Sequence, residues 1–231
     1  MGVALQVLGY IAAVTLQVLI LQVMRGGSWR RYPLLFVYVL ADLITNVLEL
    51  WPRLNYASLT PQVRRSWLFM YWWDERIIQA LLFMLVISLI YRASTRGGPR
   101  WSLLAILTLG SIVFASIALW VEYDPNVTTG KWMTPWTRDM NLCAAILDLM
   151  LWATLIRTRQ KDVRLLMISG ALGVQFAAGA MGQALRDVSH GSIDFASVVI
   201  VSANLACLYI WWHALRLPSL SHQPAPILKS A

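Results

Sequence analysis

Five polar side chains stand inside long apolar stretches of this 231-residue chain: Asp42, Glu75, Arg76, Gln79 and Asp148. A carboxyl group in apolar surroundings can carry a proton, hold a cation or bind a ligand rich in donors. A guanidinium can neutralise one of those carboxylates, and an amide can donate and accept at once. The densest cluster is in MYWWDERIIQ, residues 70–79, where Asp74, Glu75 and Arg76 separate two tryptophans from the run IIQALLFMLVI. If these three residues form a loop, they carry no chemistry beyond solvation. If a helix runs through them, Glu75, Arg76 and Gln79 lie inside it and need partners, because a charged side chain at the centre of a membrane helix costs about 2.5–3.5 kcal/mol on insertion scales. A helix starting after Arg76 would have only Ile77 to Tyr91 to cross with, which is short for a span. The triplet is therefore expected inside one helix, in its outer part.

The elements that position these residues follow from composition. Hydrophobic residues make up 58% of the chain and charged residues 13%, and mean hydropathy is +0.61. A soluble domain carries about a quarter charged residues. Apolar runs of about 20 residues, the length that crosses a bilayer, define an all-α polytopic membrane bundle of seven spans. These are residues 3–23, 33–51, 67–91, 101–122, 136–156, 163–185 and 193–216, with 217–231 as a disordered cytoplasmic tail. The opening MGVALQ has no basic residue ahead of its apolar run, so the first span is expected to be retained rather than cleaved.

Basic residues orient the bundle. Arg25, Arg30 and Arg31 follow the first span; Arg92, Arg96 and Arg100 follow the third. Arg157, Arg159, Lys161 and Arg164 follow the fifth, and Arg216 and Lys229 end the chain. The alternate connections carry half as many: Arg53, Arg64, Arg65, Lys131, Arg138 and Arg186. This bias places the N-terminus outside and the C-terminus inside, with a bacterial inner membrane as the expected location. The net charge of +8 is thus a topology signal, and no nucleic-acid partner is expected. Trp29, Trp51, Trp67, Trp101, Trp120, Trp132, Trp136, Trp211 and Trp212 fall near span ends and are expected at the membrane interface. The largest connections, Pro52–Ser66 and Tyr123–Pro135, are both outside.

Helical periodicity groups the polar residues into faces. In the second span Tyr38, Asp42, Thr45 and Glu49 share a face. In the third, Tyr71, Trp72, Glu75 and Gln79 do so with Arg76 at the edge, while Asp74 points elsewhere. The fifth presents Arg138, Asn141, Asp148 and Trp152. Gln6, Tyr10 and Gln17 mark the first span, Gln175, Gly179, Gly182, Gln183 and Arg186 the sixth, and Asn204 the seventh. Comparing depths puts Asp42, Glu75, Arg76, Gln79 and Asp148 in the middle or outer half, supported by Tyr38, Glu49, Tyr71, Asn141 and Asn204. The string SGALGVQFAAGAMG, residues 169–182, has small residues at spacings of three and four that allow close helix approach.

Several chemistries lack their residues. A retinal Schiff base needs a lysine within a span, and Lys131, Lys161 and Lys229 are all outside. A bis-histidine haem needs two histidines at matching depth; His213 is within a span, His190 and His222 are not. No HExxH metal motif and no G-x-S-x-G elbow occurs. Cys143 and Cys207 have neither metal-ligand spacing nor the placement for a disulfide. No cofactor, metal or catalytic residue is therefore expected.

The segments YWWDER (71–76), LLFMLVI (81–87) and RRYPLLFVY (30–38) resemble a set of uncharacterised seven-span proteins abundant in Acidobacteria. Members often show a Tyr-Trp pair, a Glu a few residues on and an apolar run in the third span. They often end that helix with a second Glu, where this chain has Tyr91 and Arg92. The likeness covers roughly residues 30–91 and implies a fold, not an activity. The expected function is a receptor or sensor that binds a small ligand in an outward-facing polar pocket. Proton- or ion-coupled transport through the same carboxylates, and a structural subunit anchoring a membrane protein partner, are the alternatives.

Overall fold

The computed structural model describes residues 3–55, 60–94, 101–123, 129–157, 163–188 and 193–217. The chain from 218 onward, residues 95–100, and His190 and His222 lie outside the described residues. Seven α-helices account for nearly all that is described: α1 (Val3–Arg25), α2 (Pro33–Leu54), α3 (Pro61–Ser94), α4 (Trp101–Glu122), α5 (Thr129–Arg157), α6 (Val163–Val188) and α7 (Ile193–Arg216). No strand occurs among the described residues. Six of the seven, all but α5, are long and apolar enough to cross a membrane by length and composition. The fifth is 29 residues long and carries Arg138, Asp139 and Asp148.

The helix ends show why the chain turns where it does. Gly27 takes a left-handed backbone, φ 115°, and its N–H donates to the Met24 carbonyl at 3.1 Å, which caps α1. A short 3-10 turn, Ser28–Arg30, follows, and Pro33 opens α2, where its missing N–H costs nothing. Pro61 opens α3 in the same way.

Several helices run beyond the apolar stretches. α3 begins at Pro61 rather than Trp67 and is 34 residues long, about 51 Å at 1.5 Å per residue. α2 continues through Pro52 to Leu54, and α5 starts at Thr129 with Pro135 inside it. The connections expected over Pro52–Ser66 and Tyr123–Pro135 are thus helical over 52–54, 61–66 and 129–135. The physical reason is that hydropathy measures what a bilayer would accept, whereas Gln62, Arg64 and Arg65 are good helix formers that need no bilayer. Asp74, Glu75 and Arg76 lie within unbroken α3.

Six helices form a ring in the order α1, α2, α3, α5, α6, α7 and back to α1, while α4 packs outside against α3 and α5. α3 and α6 also touch across the middle, so the ring is filled rather than hollow. Most of α4 faces outward: Ile106, Leu109, Ile112, Ile117, Trp120 and Val121 are exposed, and Ala118 is buried. The core takes Ile20 and Met24 from α1, Leu35 and Val39 from α2, Leu85, Val86, Leu89 and Ala93 from α3, and Cys207, Leu208, Trp211 and Ala214 from α7 at one end of the bundle, and Met133, Trp136 and Met140 of α5 carry it towards the other. Nearer its start α3 loosens, with Phe69, Trp73 and Ile77 exposed.

Two of the tryptophans near span ends are buried within the bundle. Trp211 is fully buried, its indole N–H donating to the Ile168 carbonyl at 3.1 Å and its ring meeting Tyr38 edge-on at 5.7 Å. Trp136 is buried against α4, with its N–H directed at the Ala115 carbonyl at 3.4 Å. A tryptophan can leave the interface once a backbone carbonyl takes its N–H. Trp29 and Trp120, in contrast, are exposed, Trp120 at 86%.

Candidate functional site

Helix α2 supplies the centre of the polar interior. Asp42 Oδ2 accepts a 2.6 Å hydrogen bond from Gln17 Nε2 of α1, and its Oδ1 accepts a longer one, 3.4 Å, from Asn46 one turn on. Both donors are neutral amides. Asp42 has no ion-pair partner among the described residues. One turn the other way, Tyr38 is buried between α6 and α7. Its hydroxyl accepts from Gln175 Nε2 at 3.4 Å, and the same amide nitrogen is 3.5 Å from Asn204 Oδ1. Glu75 of α3 lies within electrostatic reach of both Asp42 and Tyr38.

Accessibility changes within one helical turn on both helices. Asp42 and Glu75 are half-buried, whereas Tyr38 and Gln79, each four residues nearer the packed end, are 2% and 4% exposed. Tyr38 and Gln79 thus close the polar interior on the side of the core. Gln79 Nε2 is enclosed with no hydrogen-bond partner.

Asp148 belongs to the seam between α5 and α6. Asn141, Asp148 and Trp152 lie against Gly179, Gly173 and Gly170 in turn, as two antiparallel helices require. The small residues of α6 therefore meet the polar face of α5: a Cβ at Gly173 would stand 2.6 Å from Asp148 Oδ2. Asp148 is 2% exposed, its Oδ1 has no hydrogen-bond partner, and no ion pair reaches it among the described residues. It stands within electrostatic reach of Cys207 of α7, as does Asp42. Cys143 and Cys207 are both free.

The sequence-derived residues thus divide. Tyr38, Asp42 and Glu75 come together, with Asn204 joined to them through Gln175. Gln79 lies below Glu75, and Asp148 approaches from the opposite side of the ring. Arg76 turns towards α5, its Nη2 3.6 Å from Met133 Sδ and its guanidinium 5.1 Å from the Trp73 ring centroid. Tyr71 packs on Trp67 nearer the start of α3, at 5.9 Å between rings. Glu49 is buried nearly two turns beyond Asp42. Asp74 is half-buried, with Oδ2 enclosed and unpartnered. Gln17, Asn46 and Gln175 complete the network. A hint of Asn46 was available, since it follows Asp42 by one turn, and Gln17 is a polar residue deep in an apolar helix.

No cluster of three or more His, Cys, Asp or Glu side chains that could hold a metal ion occurs among the described residues. The arrangement can hold donors against Asp42, Glu75 and the amide oxygens, or pass a proton among carboxyl groups. No protein-family model, no curated protein and no solved structure matches this chain.

Proposed function

We propose that this chain is a multi-pass membrane protein of seven spans, N-terminus outside and C-terminus inside, acting as a receptor or sensor that binds a small ligand among Asp42, Glu75, Gln79 and Asp148. The observation that carries this reading is the pair Asp42 and Asp148, placed mid-helix with no basic partner among the described residues. Carboxyl groups that served only as structural glue would be matched by a cation or by a full set of donors. Glutamine and asparagine partners leave Asp42 its charge, and Asp148 has no hydrogen-bond donor among the described residues. The fall in accessibility along α3, from exposed Phe69, Trp73 and Ile77 through half-buried Glu75 to Gln79, supports a site reached past the start of α3, on the side the basic-residue bias puts outside. The outward apolar side chains of α4 support a lipid surround, since soluble monomers rarely expose patches of that kind. The resemblance of residues 30–91 to Acidobacterial seven-span proteins agrees with such a bundle.

The test is a screen of small molecules of every charge class against thermal unfolding of the purified protein in detergent. A stabilising compound is expected, and Asp42→Asn or Glu75→Gln should abolish its effect while leaving the unliganded protein folded. Stabilisation that survives both substitutions would refute the site.

Asp148 favours a second reading, proton- or ion-coupled transport, because an isolated buried carboxyl group is the usual mark of a proton path in a membrane. That reading requires a gradient-dependent flux in proteoliposomes which Asp148→Asn impairs. Absence of flux under both proton and sodium gradients would count against it.

A further inference from the structure

The polar interior is unbalanced in its hydrogen-bonding capacity. Beside Asp42 the imbalance is local: among the described residues the enclosed atom without a hydrogen-bond partner there is an acceptor, Gln17 Oε1. The orientation of Gln17 is fixed chemically. Its Nε2 donates to Asp42 Oδ2 at 2.6 Å, and turning the amide over would set its oxygen against a carboxylate. Oε1 is therefore committed as an acceptor on a fully buried side chain beside Asp42. Asp42 and Glu75 add negative charge within reach of each other.

On the reading that this interior binds a small ligand, we infer that the ligand is a protonated amine, its N–H groups donating to Gln17 Oε1 and to the Asp42 and Glu75 carboxylates. An anion would meet the Asp42 carboxylate, which no basic side chain neutralises among the described residues, and a neutral polyol would leave that charge uncompensated. A calcium ion needs six to eight convergent oxygens, and no group of three or more His, Cys, Asp or Glu side chains that could hold a metal ion occurs among the described residues. An ammonium group presents up to three directed donors, which suits acceptors spread over α1, α2 and α3.

The experiment measures thermal unfolding of the full-length protein in detergent at pH 7 and constant ionic strength, with ammonium chloride, methylamine or putrescine hydrochloride, sodium chloride, potassium chloride, sodium acetate or glycerol. At that pH aliphatic amines are protonated, as lysine is with its pKa of about 10.4. A saturable rise in Tm of several degrees is expected with an amine, lost in Asp42→Asn and retained in Asp139→Asn. If Asp42→Asn does not fold, Glu75→Gln takes its place. An equal rise with sodium or potassium would overturn the amine in favour of an alkali ion. A rise with acetate or glycerol that depends on Asp42 would overturn the ligand class while leaving the binding site standing. No saturable shift with any of these probes would overturn the amine, and the broader screen then decides whether the site binds anything.

Discussion

A methyl group added at Gly173 would stand 2.6 Å from Asp148 Oδ2, well inside van der Waals contact, so the carboxyl group or the helix must move. Overpacking of this kind costs about 1–3 kcal/mol, and Gly173→Ala should lower thermal stability accordingly. Asp148→Ala removes the opposing atoms. The double variant should therefore be destabilised by less than the sum of the two single changes, a coupling that a double-mutant cycle of unfolding free energies measures. Strict additivity would mean that the two residues do not share space. Trp211 makes a separate statement at this scale. Trp211→Phe keeps the ring against Tyr38 but removes the donor to the Ile168 carbonyl, a loss of roughly 1 kcal/mol plus the smaller volume. A neutral result in unfolding would show that this hydrogen bond contributes nothing net.

Among the elements, α4 and α6 predict opposite responses to the same substitution. Nothing lies within 4 Å of a Cβ at Gly110, so Gly110→Ala in α4 should be neutral or stabilising by up to about 1 kcal/mol, from helix propensity alone. At Gly182 in α6 the added methyl would meet Ile200 Cγ1 at 2.5 Å and the Ala196 carbonyl at 3.3 Å. Gly182→Ala should therefore destabilise, and unfolding of the two variants side by side gives the comparison. The sequence made this contrast half legible. Small residues at spacings of three and four along 169–182 announce a close approach, and the spacing of Asn141, Asp148 and Trp152 announces one face. That the stripe of α6 receives that face of α5 could not be read, because periodicity identifies a face and not its neighbour. The same limit hid the displacement of α4 from the ring and the placing of α3 beside α5. It also hid Gln17 as the donor to Asp42, since an amide in an apolar helix shows a need for a partner without naming one. The burial of Trp211 was hidden for a related reason: a tryptophan near a span end has the same spacing whether it faces lipid or core.

For the whole molecule the decisive quantity is direction, because the proposed site can meet an external solute only if its accessible edge is outside. The charge bias argues so: arginines follow α1, α3 and α5 more densely than they follow α2, α4 and α6, and positive residues are retained in the cytoplasm. Arg64 and Arg65 weaken the contrast, and they lie in the first turns of α3 rather than in a free connection. Two exposed positions on opposite sides of the bundle resolve the matter. Thr60 precedes α3, and Trp29 sits between α1 and α2. With Cys143 and Cys207 replaced by alanine, Thr60→Cys should react with a membrane-impermeant maleimide in intact cells. Trp29→Cys should react only after the cells are opened. The reverse pattern would turn the bundle over and make the accessible edge of Asp42 and Glu75 face the cytoplasm, so that their ligand would be an internal solute. Labelling of both positions in intact cells would mean that α2 does not cross, and the seven-span arrangement would fail with it.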